Sequence, residues 1–155
     1  MAVGYLLAAR RGKDMFYRFV ATDLTIHFIC FICFILIPTT NIRPEIAGNT
    51  LSEKLLALVY SLDGGNSPSN LFPSIHCYVS WMCWKGVEGS ENVPKWYQRF
   101  SLVFAILIII STQVLKQHYI VDAAAALLLV ELFWRFYQKG QRHKWVVHIF
   151  ANEKK

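Results

Sequence analysis

Four apolar stretches, at residues 16–37, 71–87, 97–115 and 119–137, take up about half of this 155-residue chain. A helix crossing a hydrocarbon core of about 30 Å needs roughly 20 mostly apolar residues. Only structures that pair all their own backbone polar groups survive in lipid, and a helix does so within one segment. The pattern therefore predicts an all-α fold, a polytopic membrane helix bundle of about four transmembrane helices forming a single membrane domain over residues 1–155. The 71–87 stretch is the shortest of the four. Composition agrees, because 55% hydrophobic residues and a mean hydropathy of +0.35 are more than a small soluble domain ordinarily carries.

Between the first two stretches, Thr50 followed three residues later by Glu53 is a capping-box signature. Leu55, Leu56, Leu58 and Val59 then predict a short interfacial helix lying on the membrane surface. No internal repeat interrupts the chain. The one turn-rich segment, 64–70, reads as a flexible external loop leading into the second stretch.

Lys and Arg placement sets the orientation, since short basic loops stay on the cytoplasmic side. Arg10, Arg11, Lys13 and Arg18 stand at the head of the first stretch. Lys85, Lys95 and Arg99 surround the second turn, and Arg135, Lys139, Arg142, Lys144, Lys154 and Lys155 follow the last stretch. The opposite face carries only Arg43, Lys54 and Lys116. The chain is thus expected as a multi-pass protein of the cell membrane, with both termini cytoplasmic and the 38–70 loop outside. The net charge of +6 is then mostly topology. Basic residues at helix ends, without a reader fold, argue against a nucleic-acid partner.

Residues 1–9 are mildly apolar, and Arg10, Arg11 and Lys13 follow rather than precede them, the reverse of a cleavable signal. They read as the cytoplasmic end of a helix whose beginning is absent, so truncation or a homo-oligomer is expected. Cys30 and Cys33 fall inside the first apolar stretch and Cys77 and Cys83 inside the second. Buried packing explains them better than a zinc site, which would place thiolates in an apolar interior without histidines at the usual spacing. No metal or cofactor is expected.

The chemistry gathers at one end of the predicted helices. His118 and Asp122, four apart, would share a helix face, where the carboxylate can hold one imidazole nitrogen and leave the other to attack. Pro73 suits the first turn of the second helix, so the amides of Ser74 and the residue after it would face an anion. His76 would stand beside that site. Arg43 offers a planar donor fork for phosphate oxygens, or contact with lipid headgroups. Lys116 adds a charge near His118 only if the helix breaks there. Ser111 completes the set. Asp23 and His27, also four apart, lie deep in the first stretch and read as a structural pair.

These residues, in this order, resemble the type 2 phosphatidic acid phosphatase superfamily over residues 16–137. The family's motifs are a lysine followed after six residues by Arg-Pro, then Pro-Ser-Gly-His, then Ser-Arg with five residues before His and three more before Asp. The chain keeps Arg43, Pro44, Pro73, Ser74, His76, Ser111, His118 and Asp122. It departs at Leu36 for the lysine, Ile75 for the glycine and Thr112 for the arginine, so two phosphate-binding cations are replaced. The resemblance implies a six-helix membrane fold with two further N-terminal spans. It also implies a lipid phosphatase acting on a phospholipid or polyprenyl phosphate.

In that scheme His118 is the nucleophile, Asp122 its orienting carboxylate and His76 the acid and base. Arg43, Ser74, Ser111 and Lys116 would bind the substrate phosphate. The loss of the cations is also similar to the lipid phosphotransferase branch that includes inositol phosphorylceramide and sphingomyelin synthases. A third expectation is a truncated, inactive membrane-interaction protein.

Overall fold

The computed structural model describes residues 2–63 and 69–151, and within them the chain is helical with no strand. In order come α1 (Ala2–Ala9), α2 (Lys13–Leu36), α3 (Leu51–Leu62), α4 (Ile75–Val87), α5 (Lys95–Val114), α6 (Ile120–Gln138) and α7 (Lys144–Ala151). Most of the turn-rich loop, 64–68, lies outside the described residues.

The predicted surface helix is α3, and its cap forms as the residue types require. The Thr50 hydroxyl accepts from the Glu53 amide at 3.2 Å, and the Glu53 carboxylate accepts from the Thr50 amide at 3.2 Å. Two orphan donors are thereby satisfied reciprocally. Leu51, Leu55, Leu58 and Leu62 recur at helical spacing and are all exposed, giving α3 an outward apolar stripe.

Among the described helices, α2 and α5 alone are long and apolar enough to cross a bilayer unaided. Their 24 and 20 residues reach about 36 and 30 Å at 1.5 Å per residue. The 71–87 stretch differs from expectation. Its helix is the 13-residue α4, about 20 Å long, because residues 71–74 lie before it in a bend that holds a cis Phe72–Pro73 bond. The fourth stretch matches α6 closely, but Asp122, Glu131 and Arg135 set it apart from α2 and α5.

The short α4 is nonetheless the centre of the bundle, packed against α1, α5 and α6, with a narrower contact to α2. Cys77, Tyr78, Val79 and Met82 from α4 meet Phe19, Ile26 and Cys30 from α2 and Ala123, Ala126, Val130 and Trp134 from α6 in one buried core. Close approach needs Gly86, where an added Cβ would lie 2.9 Å from the Phe19 ring. Cys30 and Cys77 are buried, which suits their reading as packing residues.

Asp23 and His27 are bound into the helices around them. The Tyr5 hydroxyl of α1 donates to Asp23 at 2.9 Å, and the Tyr78 hydroxyl of α4 lies 2.6 Å from a ring nitrogen of His27. The helix α7 was not foreseen in the basic tail. Val146 tucks it against Ala21 and Tyr137, while Trp145, Ile149 and Phe150 stay exposed.

Candidate active site

The N-terminus of α4 meets the loop between α5 and α6. That loop exists because the helix breaks, as Lys116 takes a left-handed φ of 49° just beyond the end of α5. The Thr112 carbonyl then accepts from the amides of both Gln117 and His118, at 2.9 and 3.2 Å. This return turn leaves His118 only 8% exposed. His118 and Asp122 therefore do not share a helix face as the spacing suggested. His118 precedes α6, and Asp122 sits in its first turn, where the carboxylate accepts from the Tyr119 amide at 2.8 Å.

Two acceptors face His118 Nδ1: the Leu71 carbonyl oxygen at 3.0 Å and Asp122 Oδ2 at 3.6 Å. The proton belongs on Nδ1, and Nε2 keeps its lone pair. That Nε2 points at His76 Nδ1, 3.4 Å away. The direct orienter of the ring is thus a backbone carbonyl, with Asp122 acting through its nearby charge. Burial, with a smaller push from His76, holds the His118 pKa below the ordinary 6.5, while Asp122 pulls the other way. Desolvation disfavours the cation, so the ring is neutral near pH 7.

His76 stands in the first turn of α4, with its side chain 44% exposed. Pro73 lies before the helix, not in its first turn, and Ser74 is the N-cap, its hydroxyl accepting from the Cys77 amide at 3.3 Å. The Ser74 amide expected to face an anion instead donates to the Asp122 carbonyl at 3.2 Å, and Ser74 is fully buried. This bond sews α4 to α6 and holds the two histidines in register.

The Arg43 side chain is completely buried and stacks on Tyr60, 4.5 Å from the ring centre. It donates to the Tyr60 and Asp63 carbonyls at 3.4 and 3.0 Å and pairs with the Asp63 carboxylate. A cation at the last carbonyls of a helix is favourable, so Arg43 closes the C-terminus of α3. Asp63 and Gln117 were not singled out from the sequence. The Gln117 amide nitrogen donates to Asp63 Oδ2 at 3.0 Å, and His76 Nε2 lies 4.0 Å from Asp63 Oδ1. The only sequence signals were position, since one follows the surface helix and the other adjoins His118.

Ser111 turns its hydroxyl back to the Ile108 carbonyl at 2.8 Å, away from any bond to the histidines. Thr112, at the position of the family's arginine, is buried and within 3.6 Å of Cys77 Sγ. Leu36, at the lysine position, is 72% exposed.

A cavity of about 400 Å³ opens over Asp63, His76 and His118, walled by Phe34, Leu62 and Leu71. A second, of about 430 Å³, reaches His118 from the side of Asn41, Gln113, Lys116 and Tyr119. The helix does break at Lys116, and Lys116 and His118 both line this second cavity.

Fold and site together define a helical bundle with paired histidines and flanking carboxylates at one end of its central helix. The chain belongs to the PAP2 superfamily, whose model matches residues 1–136. No curated protein and no solved structure matches it significantly.

Proposed function

We propose that the protein is an integral membrane phosphatase that hydrolyses a lipid phosphate ester or diphosphate through a phosphohistidine on His118. The observation that carries this reading is the facing of His118 Nε2 and His76 Nδ1 at 3.4 Å, with His118 Nδ1 fixed by the Leu71 carbonyl. A nucleophile needs a free lone pair, and a leaving alcohol needs a proton donor beside it. Family membership supports the reaction class.

A phosphoryl group does not fit between nitrogens so close, so His76 turns outward into the cavity when substrate enters. Nε2 of His118 then bonds to phosphorus as the bond to the lipid oxygen breaks, and His76 gives that oxygen its proton. In the second half, His76 takes a proton from water, whose oxygen displaces His118. Asp122 stabilises the charge that grows on the ring. Arg43, Lys116 and the first-turn amides of α4 provide positive potential for the phosphate oxygens, where preorganised donors contribute most. Ser74 acts by capping that turn, and Ser111 would reach a phosphate only after its hydroxyl rotates.

The same reading places the chain in the cell membrane as a multi-pass protein, with the site outside and both termini in the cytoplasm. Phe28, Phe31 and Ile35 on α2, Phe104, Leu107 and Ile110 on α5, and Leu128 and Leu132 on α6 are exposed. Apolar faces of this extent suit lipid contact. In this arrangement α6 crosses with Asp122 and Glu131 toward the bundle and the exposed Arg135 in its last turn, α4 enters from the outer face as a partial span, and α3 lies on the surface. The substrate is a phospholipid or polyprenyl phosphate.

A second reading, transfer to a lipid alcohol, draws on the cavity beside Lys116, which could seat an acceptor next to His118. Incubating the purified protein with phosphatidate, polyprenyl diphosphate and phosphatidylglycerol phosphate tests both readings. Free phosphate from at least one, with phosphate trapped on His118, is the expected result. Phosphorylated acceptor without free phosphate would select transfer, and neither product would sink both. For topology, a cysteine placed at Ser52 on α3 should react with an impermeant thiol reagent in intact cells. Reaction only after permeabilisation would reverse the orientation.

A further inference from the structure

We infer that the Asp63 carboxylate occupies the position of a substrate phosphate, and that Gln117 joins Arg43 as a donor to that phosphate once Asp63 is displaced. This inference deepens the phosphatase reading and rests on it. The geometry is that of an anion site already filled. Asp63 Oδ2 takes hydrogen bonds from the Arg43 guanidinium and from Gln117 Nε2 at 3.0 Å, while Oδ1 faces His76 Nε2 at 4.0 Å. The same carboxylate forms part of the wall of the cavity that holds His76 and His118.

Charge explains why the site carries its own anion. A guanidinium with no exposed side-chain surface requires a counter-charge, because burial strips its hydration and leaves the charge uncompensated. Asp63 supplies that charge when no substrate phosphate is bound. A phosphate dianion has more acceptor oxygens and more charge for the same donors, and it cannot share them with a carboxylate because like charges repel. Substrate entry is therefore an exchange of anions, in which phosphate takes Arg43 and Gln117 while Asp63 moves aside.

The position of Asp63 makes the exchange mechanical as well. It terminates α3, which is tied to the α5–α6 loop by the Asp63 to Gln117 bond and by the Tyr60 hydroxyl donating to the Leu115 carbonyl at 2.9 Å. Arg43 is the other tether, through the last carbonyls of the helix. Releasing the carboxylate removes the Gln117 tie and the side-chain part of the Arg43 contact. The C-terminal half of α3, with Leu58 and Leu62 exposed toward the lipid side of the proposed arrangement, then loosens over the cavity mouth.

The test is inorganic phosphate binding to the purified full-length chain in detergent, measured by calorimetry. Asp63→Asn keeps the shape and removes the competing charge, so it should bind phosphate about ten- to a hundred-fold more tightly, the worth of one charge-assisted hydrogen bond. Adding Gln117→Leu in that background should weaken binding about ten-fold. Unchanged or weaker binding by Asp63→Asn, or no effect of Gln117→Leu, overturns the inference while leaving phosphate binding by the native chain, and with it the phosphatase reading, intact. No phosphate binding by any of the proteins removes both. Hydrogen exchange on the native chain is independent of folding in the variants. Phosphate should speed exchange at the C-terminal amides of α3, and slower exchange there overturns the anion exchange.

Discussion

Two aspartate and histidine pairs in this chain have the same spacing and different surroundings. Asp23 and His27 lie one turn apart within α2, where the Tyr5 hydroxyl occupies the carboxylate and the Tyr78 hydroxyl meets the imidazole. His118 and Asp122 straddle the start of α6. There the Leu71 carbonyl holds one face of the ring, and the other looks toward His76 and two cavities. The first pair is spent on joining three helices. The second leaves a lone pair facing His76 beside a cavity. Spacing brings a carboxylate to a histidine, but chemistry requires an atom that the fold has not already used.

Substitutions that treat the two pairs alike should separate them. The largest difference is expected between His118→Ala and His27→Ala. The first removes the attacking atom, so trapped phosphoenzyme should vanish and turnover fall at least about 10⁴-fold, the upper range for a positioned catalytic group. His27→Ala should keep kcat within a few-fold per folded molecule while lowering thermal stability. Phosphate retained on His118→Ala would break the assignment, and turnover equally lost in both would erase the contrast.

The carboxylates come next. Asp122→Asn can still accept from the Tyr119 amide, so the fold should survive while kcat falls roughly 10²- to 10⁴-fold. Asp23→Asn should instead cost about 1–3 kcal/mol of stability, the range for disturbing a buried hydrogen-bonded group, with kcat nearly unchanged. Denaturation midpoints and single-turnover rates on both variants check this, and a large kcat loss in Asp23→Asn would assign the inner pair a chemical role.

His76 then tests the open side of the outer pair. If it protonates the leaving alcohol, His76→Ala should lose about 10²- to 10⁴-fold on an alkyl phosphate and much less on an aryl phosphate, whose leaving group needs little protonation. Equal losses on both would make His76 a binding or structural residue.

The smallest effect is on pH dependence. His118 must be neutral to attack, and its pKa is held below the ordinary 6.5 by burial first and by His76 second. Activity should persist as pH falls through 6.5, and the acid inflection due to His118 should lie lower. The sign for stability follows, since the unfolded chain takes up this proton first on acidification. The contribution of His118 is complete above pH 6.5 and declines as pH falls below it. In an NMR titration of the His118 ring, His76→Ala should raise the pKa by removing a repulsive neighbour, whereas Asp122→Asn should lower it. Shifts in the opposite directions would contradict the geometry.

Much of this was legible in the sequence for local reasons. Thr50 and Glu53 announce α3 within a single turn, and the apolar runs mark α2, α5 and α6 closely, because caps and periodicity act over a few residues. His76, His118 and Asp122 were legible as a set from their order in the chain. The shortness of α4 was not, since Leu71 and Phe72 are as apolar as a helix start, yet their amides are taken by the Thr39 hydroxyl. The helix α7 escaped notice because its burial rests on Val146 meeting Ala21 of α2, far away in the chain, along with Tyr137 of the preceding α6.

The chain by itself determined an all-helical fold, the apolar faces and the residue types available for phosphoryl chemistry, all of which follow from neighbours one or two turns apart. Tertiary structure alone decided which residues are free to use them. A carbonyl 47 residues upstream sets the tautomer of His118, and an aspartate 20 residues downstream claims the fork of Arg43. Hydrogen bonds of this kind depend on where packed helices end, and no local pattern records that.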